Sequence, residues 1–216
     1  SPVIVEAQLP TEPGLPVTVE GSYVFDVAGP VSGTEDAVLF GQGLFDLVFG
    51  YETEGSAGRL QVIADLQGHH GVDPSTRAGD LQAFDNQAAP GFERIAEFFV
   101  EWERPQRDLR VKAGKIDANG DFAAPDNAGD FVNSSMGFSP AIAGMATYPE
   151  NGLGALVAAA LPARTSVMVG VFDMGERTST DGLEASFEQM TWMLEIGRDW
   201  ASRGGGRFAI GAWHLG

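Results

Sequence analysis

In the stretch VTVEGSYVFDV, Val17, Val19, Tyr23, Phe25 and Val27 fall on one parity while Thr18, Glu20, Ser22 and Asp26 fall on the other. Successive side chains of an extended chain point to opposite faces, so this alternation predicts a strand with one apolar and one polar face. The same design recurs along the chain. LFGQGLFDLVFGY sets Leu39, Phe45, Leu47, Phe49 and Tyr51 against Gln42 and Asp46. RLQVIADLQGH sets Leu60, Val62, Ala64 and Leu66 against Arg59, Gln61, Asp65 and Gln67. RIAEFFVEWE places Ala96, Phe98, Val100 and Trp102 opposite Glu97, Glu101 and Glu103, and LRVKAGK places Leu109, Val111 and Ala113 opposite Arg110 and Lys112. With LGALVAAAL, SVMVGVFD, TWMLEIGRDW and RFAIGAWHL the pattern predicts nine strands.

The connections between them carry as much information as the strands. Residues 28–38 form a moderate one, 52–58 a short one, 69–93 a long one and 104–108 a short one. Then come 117–152, very long, 162–164, minimal, 174–190, long, and 201–206, short. Long and short alternate throughout. Strands of about 9 to 11 residues in a meander whose two ends differ this way match an outer-membrane barrel, with brief periplasmic turns and extended external loops. A soluble β-sandwich or barrel also alternates. The asymmetry of the connections favours the membrane, as do Glu20, Asp26, Asp46, Asp65, Glu97 and Glu101 on the polar parity, which suit a watered interior. Only a closed barrel then satisfies every backbone group on the lipid side. The expected fold is therefore all-β, an antiparallel up-and-down outer-membrane β-barrel. Residues 1–16 form an extended periplasmic lead-in and 17–216 the barrel wall. Trp102, Trp192, Trp200, Trp213, Tyr23 and Tyr51 are expected in interfacial girdles.

Charge narrows the partners. The chain has 216 residues and a net charge of -17, with 30 acidic against 13 basic residues. Nucleic-acid backbones reward clustered Lys and Arg, so no nucleic acid is expected as a partner. Cysteine is absent, which removes disulfides and Cys-based metal sites. No stretch approaches the ~20 apolar residues of a membrane helix. The first residues, SPVIVE, carry no basic or apolar leader, so an export signal is expected to have been removed.

Within 117–152 lies DFAAPDNAGDFVNSSMGFSP, too rich in Asn, Asp, Ser, Gly and Pro for a helix or a strand. No Lys or Arg occurs between Lys115 and Arg164, whereas Asp117, Asp121, Asp126 and Asp130 lie close together, and Arg104, Arg107, Arg110, Lys112 and Lys115 come just before. If this third long connection bends inward, Arg110 and Lys112 face its carboxylates across the opening and set up a transverse field.

These residues resemble a known family. LRVKAGKIDANGDFAAPDNAGDFVNSSMGFSPAIAGMATYPENGLG is similar to the signature region of the carbohydrate-selective porins of Gram-negative outer membranes, the OprB type. The match runs through Asp117, Asn119, Phe122, Ala123, Ala128, Gly129, Phe131, Asn133, Ser134, Ser135, Gly137, Ser139, Pro140, Tyr148 and Pro149. Weaker similarity covers RIAEFFVEWE, VGVFDMG and the closing RFAIGAWHLG. The resemblance implies a porin of about sixteen strands, in the outer membrane, passing small sugars by diffusion through a constriction formed by 117–152. Nine strands would leave an open edge in lipid, and the final AWHLG lacks the terminal aromatic usual in such barrels, so the chain resembles the N-terminal half. The expected pore-lining residues are Glu97, Glu101, Arg110 and Lys112 on the wall, with Asp121, Asp126, Asp130 and Asn133 on the loop. Expected partners are small sugars, outer-membrane lipid, and other envelope proteins or further copies of the chain. The alternative is a noncatalytic structural subunit of an envelope complex, and a soluble carbohydrate-binding or hydrolytic β-domain is a third reading.

Other chemistry is weaker. DANGD at 117–121 imitates the start of a calcium loop, but Phe122 stands where Gly is required and Ala128 where Glu is, so an EF-hand is rejected. A looser calcium site at Asp117, Asn119 and Asp121 competes there with an Asx turn. His69 and His70 are adjacent and point oppositely on a strand, and His214 is alone. Glu97 and Glu101, four apart on one strand face, sit about 13 Å apart, too far for a glycosidase pair. GxSxG, Walker and HExxH motifs are absent. No enzyme, cofactor or metal is expected.

Overall fold

The computed structural model describes residues 3–8, 16–29, 39–73, 75, 85–104, 106, 108–124, 144–175, 183, 186–201 and 205–216. They form one antiparallel sheet of ten strands in sequence order: β1 (Val3–Gln8), β2 (Val17–Ala28), β3 (Phe40–Gly55), β4 (Gly58–Gly71), β5 (Phe92–Arg104), β6 (Leu109–Ile116), β7 (Gly152–Leu161), β8 (Thr165–Asp173), β9 (Met190–Trp200) and β10 (Gly206–Leu215). Nine of these are the strands that alternation predicts. The tenth, β1, is built from the lead-in, whose Val3, Val5 and Ala7 pair with Phe25, Tyr23 and Gly21. Because each strand pairs with its sequence neighbours, the sheet is a meander, with β1 and β10 as its edges among the described residues.

Register decides which side chains share a face. Leu47 pairs with Leu66, Phe49 with Ala64 and Tyr51 with Val62, and further along Val157 pairs with Val169 and Val169 with Leu194. This apolar parity is bare: Phe45, Phe49, Leu66, Phe98, Val157, Val169, Leu194 and Ile196 are all exposed. A continuous bare apolar face of that extent is foreign to a water-soluble sheet but matches the lipid side of a barrel wall. The opposite parity carries Asp46, Asp65, Glu97, Glu101, Lys112 and Glu195, and over its second half it is covered. There Phe99, Leu156, Met168, Phe172 and Met193 from the strands pack with Ala118, Phe122 and Ala146 from the segment after β6.

Two local features depart from simple alternation. Between Asp65 and Leu66 the β4–β5 register slips, so Ala64 faces Phe98 while Leu66 faces Ile95. Ala96 is the extra residue of this bulge and is buried, and Ile95 takes the bare-face position that alternation gives to Ala96. Near the end of β6, Gly114 has φ +142, a conformation reserved for glycine, and a Cβ there would stand 2.6 Å from the Phe99 Cα. Beyond it, Lys115 turns inward, 1% exposed, and donates from Nζ to the Ile95 carbonyl at 2.5 Å.

Trp192, Trp200 and Tyr51 are exposed on the bare face, the one on which girdle residues are expected. Trp213 is on the other face. Trp213 pairs with Met193, which is on the covered face, and its ring approaches the position a Cβ would take at Gly144. The odd positions of β10 belong to the covered parity because Ile210 pairs with Ile196. Introducing a guanidinium at Val169, in the middle of the bare face, is expected to lower stability in a lipid bilayer by about 2–4 kcal/mol. Urea unfolding of V169R in vesicles measures it, and an unchanged midpoint would remove lipid from that face.

Candidate functional site

The site grows from the covered parity of β5 and β6. Glu101 is the register partner of Lys112 and Glu103 that of Arg110, so alternation sets acids beside bases on one face. At the end of β6 the chain does not leave the sheet. Asp117 caps a single 3-10 turn, Ala118–Gly120, by accepting the Asn119 N–H at 2.8 Å. The same oxygen accepts the Thr147 hydroxyl at 2.7 Å, while Ala118 N donates to the Ala146 carbonyl at 2.9 Å. Both legs of the long connection are thereby tied together where they meet the wall. The Asp117 N–H itself donates to Glu97 Oε1 at 2.8 Å.

This turn reverses the chain onto the sheet. Phe122 stands edge-on to Phe172, centroids 6.0 Å apart at 88°. Gly170 leaves room for it, since a Cβ there would meet the Phe122 ring at 2.9 Å. Asp121 comes down on the basic residues of β6. One of its oxygens lies 2.6 Å from Arg110 and the other 3.1 Å from Lys112. Arg110 also reaches Glu101 at 3.1 Å, and the Lys112 ammonium sits 4.0 Å above the Phe99 ring. The Asp121 side chain is 4% exposed, so its charge is compensated by neighbours instead of water. Such a pair is not a large net source of stability, but removing one member strands the other.

Glu97, Glu101, Arg110, Lys112 and Asp121 are thus brought together. Arg110 and Lys112 meet Asp121 by direct contact, not across an opening. Asp126, Asp130 and Asn133 lie outside the described residues. Glu97 and Glu101 are committed to different partners, the Asp117 amide and Arg110. Asp117 forms an Asx turn and Asp121 is held by two cations. Among the described residues, no group of three or more His, Asp or Glu is placed to hold a metal ion. His69 and His70 do point oppositely, His69 stacking on Phe92 and His70 on Tyr23.

Sequence reasoning passed over Glu195 and Arg207. Glu195, on β9, accepts the Ala123 N–H at 2.9 Å through one oxygen and Arg207 at 2.9 Å through the other. Ala123 has φ +53, so Glu195 holds the reversed chain in a conformation a non-glycine residue rarely adopts. The available signal is a single acid on the parity of Met193 and Gly197, otherwise without charge until Asp199.

Carboxylates close the other necks too. Asp85 accepts the Gln87 N–H at 2.9 Å and the Gln42 side chain at 2.5 Å. Asp173, at the end of β8, accepts Gly175 N at 2.9 Å, Ser186 N at 2.8 Å and Phe187 N at 3.3 Å. Tyr148 joins two connections by donating to the Gln87 carbonyl at 2.8 Å, and Arg94 donates to the Pro149 carbonyl. Burial is the largest influence on the Asp117 and Asp85 carboxyls and raises both above the usual carboxylate range, against the hydrogen bonds they accept. It raises the Tyr148 phenol likewise.

A family described as "Carbohydrate-selective porin, OprB family" matches residues 49–215. The chain belongs to that family, which places it among outer-membrane porins. In structure it is similar to OprB of Pseudomonas putida, solved at high pH, with a TM-score of 0.74 and 17% sequence identity over 91% of this chain. The match takes in 51% of the Pseudomonas chain, so the present chain spans about half its length. No curated protein matches the sequence.

Truncating Asp121 leaves buried Lys112 and half-buried Arg110 with one fewer partner, and D121A is expected to cost about 3 kcal/mol in unfolding measurements. For Asp117 the sign follows from its raised pKa. Folded protein holds this proton more tightly than unfolded protein, so the carboxylate is a destabilising burden above the folded pKa. That burden disappears as pH falls below the unfolded value of about 4. The melting temperature of D117N relative to wild type is therefore expected to be more favourable at pH 8 than at pH 4; a difference that is flat or reversed with pH contradicts it.

Proposed function

We propose that this chain forms part of the wall and the constriction of an outer-membrane pore through which small neutral sugars diffuse passively. The observation that carries the reading is the docking of the third long connection. Its described parts, 117–124 and 144–151, lie on the polar face of the sheet, pinned by Asp121, Phe122 and the Glu195 bond to Ala123. A loop anchored there narrows whatever passes along that face. In this reading Glu97, Glu101, Arg110, Lys112 and Asp121 line the narrow section with Asp126, Asp130 and Asn133. Fixed donors and acceptors around an opening select solutes by hydrogen-bond geometry, and the acidic excess disfavours anions. Such diffusion needs no catalytic residue or cofactor. Further strands complete the barrel, since an open edge in hydrocarbon costs several kcal/mol per unpaired group.

The second reading is a noncatalytic structural subunit of an envelope complex that keeps the porin sheet without a pore. Reconstitution into planar bilayers separates the two. The pore reading expects ion conductance that glucose reduces in a saturable way and gluconate does not. Stoichiometric assembly with other envelope proteins and no conductance establishes the structural role instead.

A further inference from the structure

Near the long-connection end of β3, β4 and β5 the bare face has a hollow, and the register explains it. One cross-strand row joins Leu47, Leu66 and Ile95, and the next joins Phe45, Gly68 and Glu93. In the row beyond, His70 pairs with Gly43. Gly68 is thus surrounded by side chains and has none of its own. The result is a groove of about 1090 Å³ walled by Phe45, Leu66, His70, Glu93 and Ile95. A Cβ at Gly68 would meet nothing closer than the Phe92 carbonyl oxygen at 3.8 Å, so the backbone does not force the gap. His70 is steadied by Tyr23, whose hydroxyl lies 2.8 Å from Nε2. Glu93 faces Gly68 across the ladder and makes no ion pair among the described residues. Its neighbour Arg94 is turned to the other face, with its guanidinium over the Phe92 ring and a hydrogen bond to the Pro149 carbonyl.

We propose that this groove binds a membrane lipid whose headgroup carries an ammonium, at the boundary between hydrocarbon and water. Phe45, Leu66 and Ile95 line its lower part and continue the lipid face, so an acyl chain lies along them without leaving hydrocarbon. Its upper part holds a carboxylate with no cation beside it. A charge at the edge of hydrocarbon is costly unless it is paired. A headgroup ammonium supplies the pair and donates charge-assisted hydrogen bonds to Glu93. With Arg94 on the opposite face, the groove offers an anionic headgroup no guanidinium, and Glu93 repels it. Pockets of roughly 300–1,000 Å³ hold a drug-sized molecule, so the headgroup and the upper part of one chain both fit. The site faces away from the constriction and goes beyond the pore reading, since it needs only lipid against the bare face.

Native mass spectrometry of the full-length protein in detergent micelles tests this, with phosphatidylethanolamine and phosphatidylcholine of the same acyl chains as the titrants. The two lipids have the same net charge and differ at the nitrogen: ethanolamine donates N–H, and choline has none to donate. Wild-type protein is expected to bind phosphatidylethanolamine about tenfold more tightly, the equivalent of one charge-assisted hydrogen bond. Glu93→Leu removes the acceptor while keeping a side chain suited to lipid, and is expected to bring the two affinities together. Gly68→Leu fills the floor and is expected to weaken phosphatidylethanolamine binding by a similar factor. Equal affinities in wild type, or a preference that survives in E93L, overturn the site. Should G68L fail to fold, E93L decides alone. If the protein self-associates and G68L disperses it to monomers with lipid binding unchanged, the groove is a seam between copies and the lipid site is overturned.

Discussion

A strand that meets hydrocarbon on one side has only its other side on which to place charge, and this constraint organises the whole chain. Apart from the bulge at Ala96 and the inward turn of Lys115, alternate residues from β2 to β10 fall on the bare face, where Val157, Val169, Leu194 and Ile196 form a continuous apolar band. Away from the strand ends, carboxylates, lysines and arginines therefore collect on the remaining parity. The cross-strand register then fixes which of them meet. Glu101 beside Lys112 and Glu103 beside Arg110 are consequences of that register.

The polar face would be unremarkable without the segment that returns to it. Ordering a long connection costs conformational entropy, and several kinds of contact offset that cost. Phe122 contributes apolar burial, Asp121 joins the two β6 cations, and Glu195 satisfies an amide in a left-handed residue. Tyr148 and Asn151 hold the other leg, to the Gln87 and Ala96 carbonyls. The glycines beneath, Gly154 and Gly170, are where Phe172 and Phe122 find space. Removing side chains from the wall is what lets the loop lie close to it.

Much of this was legible in the sequence because period two is a strong signal when both faces have opposite needs. Parity alone placed Glu97, Glu101, Arg110 and Lys112 on one face, and the acidic run after a basic strand pointed to Asp121. What parity could not supply is the third dimension. Asp121 reaches Arg110 and Lys112 because a 3-10 turn reverses the chain, a local geometry carried by Asp117 and Asn119. Glu195 and Arg207 were missed because their importance comes from residues more than seventy and about a dozen positions away. The bulge at Ala96 and the face taken by Trp213 escaped for a related reason: both depend on register with a neighbouring strand. β1 is hidden in the lead-in because six residues flanked by prolines alternate too briefly to separate from an extended arm.

The carboxylate at the end of β8 has a consequence of its own. Asp173 binds the amides of Gly175 on one side and of Ser186 and Phe187 on the other, so it clasps the two stems. The entropy of closing a loop grows only slowly with its length. A clasp of that kind works as a socket: the sequence it carries can lengthen, shorten or be exchanged for a foreign peptide while the wall below keeps its shape.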